Sequence, residues 1–218
     1  MGKLRINTLV LGAMATNCYL VINQETKKMI VIDPGAEPER VIRKIEESGG
    51  IPEAILLTHG HFDHIGAAEA IRSYYSGNMA EKAKQGVWIC ALRAEQEVCG
   101  SREQNLSSAF GNGFTVAPDC FLEDGETVSI AGVTVKVLHT PGHTVGGACY
   151  YIEEEKTLFS GDTLFCCSVG RTDFPTGSMR ELRNAIHTKL FVLPDDTLVL
   201  PGHGASTSIG YEKKYNPY

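Results

Sequence analysis

A mixed α/β fold is predicted by three features of the sequence. Apolar runs such as Ala54-Ile55-Leu56-Leu57 and Ala148 to Ile152 have the length and composition of buried strands. Between them lie amphipathic stretches with helical spacing, such as Pro38 to Ser48, where Val41, Ile42 and Ile45 share one face. Hairpin signals join several strands, the clearest being Ala131-Gly132 between Thr127 to Ile130 and Val133 to Leu138.

Length and charge narrow the function classes. With 218 residues the chain fits one domain, 1–218, large enough to bury a proper core. The net charge is -6 and no run of Lys or Arg stands out, which argues against nucleic acid as the main partner. No apolar stretch is long enough to span a membrane, and Met1 to Asn7 has neither a signal-peptide core nor a myristoylation pattern. The seven cysteines are scattered without a C-x-x-C, so reduced thiols and a cytoplasmic location are expected.

Taken in order, Leu4 to Leu11, Cys18 to Asn23 and Met29 to Ile32 read as strands, with a polar turn at Gln24 to Lys28. Asp33-Pro34-Gly35 ends the third. Asp33 either supports a metal ligand or simply makes the turn. After the Pro38 helix, stopped by Gly49-Gly50, come the Ala54 strand and an amphipathic helix from Ile65 to Tyr75. Val87 to Cys90 reads as a strand and Ala91 to Cys99 as a helix. The irregular 100–119 stretch reads as a lid or substrate wall. Strands follow at Ala148 to Ile152, Thr157 to Ser160 and Thr197 to Leu200. Ser178-Met179-Arg180-Glu181 is a capping box opening a helix with Leu182, Ile186 and Leu190 on one face.

Between the Ala54 strand and the following helix stands Thr58-His59-Gly60-His61-Phe62-Asp63-His64. Imidazole and carboxylate suit Zn and Fe, and two imidazoles one residue apart can converge on one ion. Four ligands from so short a loop cannot crowd one ion, so Asp63 and His64 must reach a different point, which suggests two metals side by side. Three later strands also stop just before a candidate ligand: His143, Asp162 and His203. Glycines beside each let the backbone turn sharply. A shared site at one edge of a sheet assembly explains the recurrence. His139 reads as supporting or structural, and His187 as a surface residue.

The His-x-His-x-Asp-His run followed by His143, Asp162 and His203 resembles the metallo-β-lactamase superfamily. The resemblance implies a four-layered αββα sandwich with metals at one edge. It implies a first metal site of His59, His61 and His143 and a second of Asp63, His64 and His203, with Asp162 bridging them; Asp63 and Asp162 thereby enter the catalytic set. Flanking stretches are similar to the glyoxalase II group, in particular its short bacterial members: Thr16-Asn17-Cys18-Tyr19, Gly161-Asp162-Thr163-Leu164-Phe165, Gly170-Arg171-Thr172-Asp173 and the tail from Ile209 to Pro217. Lactamases usually carry Cys where Asp162 stands, and flavodiiron proteins carry Glu where His61 stands, which disfavours both roles. The end at Tyr218 is expected to leave out the C-terminal helical domain of the long glyoxalase II enzymes.

These ligands imply a binuclear hydrolase. Two divalent ions, Zn2+ by default with Fe or Mn as options, outweigh Asp63 and Asp162; with a bridging hydroxide as nucleophile the cluster is left near about +1, attractive to an anionic substrate. A thiolate of pKa ~8.5 leaves without prior protonation, so a thioester such as S-acylglutathione needs least extra machinery. Arg171 is a candidate for a substrate carboxylate or a plain surface ion pair. Cys166 and Cys167 read as a buried, inert pair. One alternative is a persulfide dioxygenase with a single Fe on His59, His143 and Asp162. A nuclease and a non-catalytic metal-binding module are the others.

Overall fold

The computed structural model describes residues 3–77 and 86–218; Met1 and Gly2, part of the stretch read for an N-terminal signal, lie outside them. Two six-stranded sheets face each other. The first runs in the order β1 (Leu4–Leu11), β2 (Thr16–Asn23), β3 (Lys28–Ile32), β4 (Ile51–Leu56), β5 (Trp88–Leu92), β6 (Cys120–Leu122). Its first three strands are antiparallel and the rest parallel. The second sheet contains β7 (Thr127–Ile130), β8 (Val133–His139), β9 (Ala148–Ile152), β10 (Thr157–Gly161), β13 (Leu198–Pro201) and β14 (Thr207–Ser208), and β10 pairs with β13 in parallel. A small ribbon, β11 (Leu164–Phe165) and β12 (Ser168–Val169), lies between β10 and β13 in sequence.

Strand alternation sorts side chains into layers. From β2, Tyr19 and Val21 join Val135, Val137, Tyr150 and Phe159 between the sheets. Cys18, Leu20 and Ile22 point the other way, onto helices α1 (Pro38–Ser48) and α3 (Ala68–Gly77) through Val41, Ile45 and Ile71. On the far side, Cys149, Tyr151 and Leu158 pack against Leu182 of α5 (Met179–Ala185) and Ile209 of α6 (Ile209–Tyr215). Helix, sheet, sheet, helix is the four-layered αββα sandwich expected. Every residue of β2 is buried because it has a layer on each face.

Several local features follow directly from residue chemistry. Pro38 occupies the first turn of α1, and Gly49 (φ 69°) ends it in the left-handed conformation. Pro52 is tolerated in an interior strand because β4 bulges there: Met29 pairs Pro52 while Ile30 pairs Ala54. Ala131 (φ 57°) and Gly132 (φ 69°) make the tight turn of the β7–β8 hairpin.

The structure corrects other readings. The helix expected from Ile65 to Tyr75 is two pieces, a short α2 (Phe62–Ile65) and α3. The break lies at Gly66, where a Cβ would meet the Gly35 carbonyl oxygen at 2.3 Å. The helix expected from Ala91 to Cys99 begins only after Leu92, as a 3-10 turn (Arg93–Glu95) leading into α4 (Gln96–Gly100). Ala91 and Leu92 remain strand because they pair with β6, which the sequence did not reveal. The capping box is half formed: Ser178 Oγ accepts from the Glu181 N–H at 3.4 Å, but the Ser178 N–H donates to Gly142 O. The helix past Ala185 widens into a π turn over Ile186–Leu190.

Candidate metal centre

All seven expected donors meet where strands of both sheets end. The first His-rich loop leaves β4 and is held on two sides. Gly60 N–H donates to Glu95 Oε1 at 2.8 Å, and Phe62 N–H donates to Asn105 O at 2.8 Å. His61 is the N-cap of α2, and the helix carries Asp63 and His64. His143 sits in the β8–β9 loop, Asp162 just past β10, and His203 just past β13.

Three imidazoles converge: His59 Nε2 lies 3.1 Å from His61 Nδ1, which lies 2.9 Å from His143 Nε2. A second group is built from Asp63, His64 and His203, with His203 Nε2 3.3 Å from both Asp63 Oδ2 and His64 Nε2. Asp162 reaches both: its Oδ2 is 3.5 Å from His143 Nε2 and from His203 Nε2, and its Oδ1 is 3.4 Å from His64 Nε2. Within each triad the donor atoms lie within 4.8 Å of one another.

Hydrogen bonds behind the rings decide which nitrogen faces inward. His64 Nδ1 donates to Asp33 Oδ2 at 2.9 Å, which leaves a lone pair on Nε2. His143 Nδ1 donates to the Arg171 carbonyl at 2.7 Å, with the same result. His59 Nδ1 faces Thr58 Oγ1 at 3.2 Å; that hydroxyl gives its own proton to Asp33 Oδ2 at 2.5 Å, so it accepts from the ring. Inward lone pairs on adjacent neutral rings repel unless a cation lies between them. Asp162 Oδ1 is buried with no hydrogen-bond partner, which adds an orphaned acceptor to the same space. This donor set fits divalent metal ions.

The electrostatics point the same way. Burial, then the neighbouring His143 and His64, push His61 down to about 3. Burial also holds His59 well below its ordinary value. Burial alone would lower His64 and His203 too. The carboxylates of Asp63 and Asp162 overcome it, with Asp33 added at His64, raising them to about 9 and about 10. Asp63 and Asp162 are held below the usual carboxylate range: burial opposes this, and His64 and His203 outweigh it. His59 and His61 are therefore neutral, while His64 and His203 sit in a field that favours positive charge.

Several supports were invisible as such in the sequence. Thr16 Oγ1 donates to Asp63 Oδ2 at 2.8 Å. The Asn17 side chain donates to Pro201 O and Gly204 O, both at 3.0 Å, and so holds the backbone on either side of His203. The only signal for these was their presence in the glyoxalase II-like stretch Thr16 to Tyr19. Glu95 is fully buried and takes N–H groups from Gly60 (2.8 Å) and Gly146 (2.7 Å), tying the His59 loop to the His143 loop. Burial outweighs those hydrogen bonds and pushes its carboxyl up to about 7. Gly202 has no room for a side chain: a Cβ would lie 2.2 Å from Asp162 Oδ1.

Asp33 proves to be both supporting carboxylate and turn residue, with φ 50°. His139 braces the His143 loop through Val145 O at 2.9 Å, and His187 is exposed. The guanidinium of Arg171 is engaged by Asp173 at 2.6 and 2.7 Å and lies 3.9 Å above the Phe174 ring, so a substrate carboxylate would have to displace an exposed ion pair. Cys166 and Cys167, expected to be buried, are exposed, because they are the two turn residues of a two-stranded ribbon that belongs to neither large sheet. All seven cysteines are free thiols. Among the described residues, no helix is long and apolar enough to cross a membrane.

Comparison with known proteins agrees with this construction. The chain is 37% identical over 218 residues to hydroxyacylglutathione hydrolase GloC of Haemophilus influenzae, covering 99% of this chain and 98% of that protein. The crystal structure of BLEG-1 B3 metallo-β-lactamase matches with TM-score 0.89 and 36% identity, over 98% of each chain. That of TTHA1623 in a di-iron-bound form matches with TM-score 0.81 and 33% identity, over 97% of this chain and 98% of that one. The family model of the metallo-β-lactamase superfamily matches residues 11–203, a span that takes in every donor from His59 to His203. With its fold, its donor order and its relatives in accord, the chain is a member of the metallo-β-lactamase superfamily.

Proposed function

We propose that this metallohydrolase cleaves small anionic thioesters, S-hydroxyacylglutathione being the first substrate to try, with two divalent ions, zinc by default. His59, His61 and His143 would hold one ion, Asp63, His64 and His203 the other, and Asp162 both. When bound, such a pair supplies a water acidic enough to attack near neutral pH and a Lewis acid for the carbonyl. The observation that carries the reading is Asp162, set between two complete donor triads with Oδ1 unsatisfied. A single-iron dioxygenase would need only His59, His143 and Asp162, and would leave Asp63, His64 and His203 without a task.

The chain's own residues account for the other requirements. Asp63 and Asp162 stay ionised at neutral pH, so each would offer carboxylate oxygens to hold an ion and to accept a hydrogen bond from the attacking water. Phe174 lies edge-on to His61 (5.7 Å) and Phe165 to His203 (6.2 Å), so apolar walls flank the donors and limit competing water. A thiolate leaves without a general acid, which matches a site whose neighbouring rings are phenylalanines. The 100–119 segment is pinned rather than free: Asn105 and Ser107 are buried and bind Phe114 O at 2.7 and 3.0 Å. It serves as a wall, with Phe110 stacked on Phe62 at 4.5 Å.

The test combines metal content with a substrate panel. Protein purified without added metal is assayed by elemental analysis, then with S-hydroxyacylglutathione, a simple ester and a chromogenic β-lactam. About two metals per chain and a preference for the thioester, lost in D162N, are expected. One iron with the second triad empty, or preference for the β-lactam, would overturn the reading.

A further inference from the structure

The turn between β11 and β12 holds a second cluster of donors, which shares no residue with the histidine centre. Cys166 and Cys167 are its two central residues, since Phe165 pairs with Ser168. Neighbouring side chains on a tight turn normally diverge. Here both face the corner between β14 and α6. Cys167 Sγ lies 3.7 Å from Tyr211 OH, and Cys166 is within hydrogen-bonding reach of Thr207. Behind them stands Glu212, fully buried. The two sulfurs and a Glu212 oxygen all lie within 4.8 Å of one another.

Glu212 is a carboxylate with only neutral partners. It accepts from Cys167 N–H at 2.9 Å, Asn216 Nδ2 at 2.8 Å and Thr207 Oγ1 at 2.5 Å. A carboxylate has roughly four lone-pair positions, so about one stays open. Oε1 carries a single donor and is the oxygen with room. A buried negative charge without a cation is costly, and a cation beside it offsets that cost. Cys167 adds a second peculiarity: its φ is 55°, a conformation that glycine would occupy with less strain.

We propose that Cys166, Cys167 and Glu212 form a separate thiolate metal site that takes one soft or borderline divalent cation of the Zn2+ or Cd2+ class. Sulfur ligands select such ions over hard ones, in contrast to the nitrogen and oxygen donors around Asp162. Binding releases one proton from each thiol to solvent and forms two metal–sulfur bonds and one metal–oxygen bond. No electron transfer is involved. The open coordination position faces solvent, where water or Tyr211 OH completes the shell.

The experiment titrates chelator-stripped full-length protein with Cd2+. Thiolate-to-cadmium charge-transfer absorbance reports sulfur ligation, and a thiol-reactive dye reports which cysteines are protected. Wild type is expected to develop the band to saturation at one sulfur-bound ion per chain, with both exposed thiols protected. C166S/C167S is expected to lose the band and to bind one cation fewer. C167G guards against a folding artefact, because glycine relieves the left-handed strain. It is expected to melt no lower than wild type yet bind Cd2+ at this site at least tenfold more weakly. Absence of the band in wild type, continued dye reaction at saturating Cd2+, or an unchanged band in the variants would each overturn the proposal. None of these readouts uses hydrolysis, so the result is independent of the thioester reading.

Discussion

His64 Nδ1 lies 2.9 Å from Asp33 Oδ2, a carboxylate at the end of β3 that also takes the Thr58 N–H (2.8 Å) and hydroxyl (2.5 Å). One side chain thus fixes the tautomer of His64 and, through Thr58, the orientation of His59. Asn at position 33 tolerates the left-handed backbone but removes the charge. D33N is expected to weaken metal binding by about 10–100-fold. Calorimetric titration of the stripped protein checks this, and an affinity within twofold of wild type would contradict the role.

Glu95 makes a pH prediction with a definite sign. Its folded-state pKa is raised to about 7 from an ordinary value of 4.5. A raised carboxyl contributes stability that is present below the unfolded pKa and lost as pH climbs through the folded one. Wild type should therefore lose stability relative to E95Q between about pH 4.5 and 7, by on the order of 3 kcal/mol. Urea denaturation of both proteins at pH 5 and pH 8 measures the difference. A gap that does not move toward E95Q at the higher pH would show that Glu95 is not titrating there.

At Gly202 an added Cβ would approach Asp162 Oδ1 at 2.2 Å and His64 Cε1 at 2.7 Å. G202A is expected to cut hydrolysis by roughly 100-fold, in line with misplacement of groups at a reacting centre by about 1 Å. Far-ultraviolet circular dichroism should stay unchanged. Activity within threefold of wild type would mean that the loop yields without disturbing the donors.

Metal removal should expose the repulsion among the inward lone pairs of His59, His61 and His143. The melting temperature is expected to rise with free metal, by the equivalent of about 2.7 kcal/mol at 100 times the dissociation constant. Thermal melts across a metal-buffer series follow this, and a melting temperature independent of metal would argue that the cluster binds none.

Arg171 contributes its carbonyl to His143 and its side chain to Asp173. R171A keeps the carbonyl, so metal affinity should hold. If the guanidinium also meets a substrate carboxylate, KM for an anionic thioester should rise about tenfold with kcat little changed. Unchanged kinetics would leave Arg171 as a surface ion pair.

Most strands and the first helix were legible because local pattern and tertiary demand coincide there. Pro38 to Ser48 carries its own start and stop, and β9 sets its boundaries by apolar run and acidic turn. β6, β14 and α6 were not legible. Cys120–Leu122 is too short to show a period, and it becomes a strand only because β5 offers an edge. Ala91 and Leu92 were misread for the same reason.

What the sequence by itself determined is the donor chemistry: a dense His-x-His-x-Asp-His run, and a His or Asp after each of three later strands. Spacing along the chain carries that information, because ligand type and strand ends are local properties. The tertiary structure alone decided which ring nitrogen faces inward. It also decided that Asp162 stands between two triads, that Glu95 ties two loops together, and that the Arg171 backbone rather than its side chain touches a donor. Those outcomes depend on contacts between segments far apart in the chain, such as His61 and His143, 82 residues apart, and only the face-to-face packing of the two sheets brings these ring nitrogens to 2.9 Å.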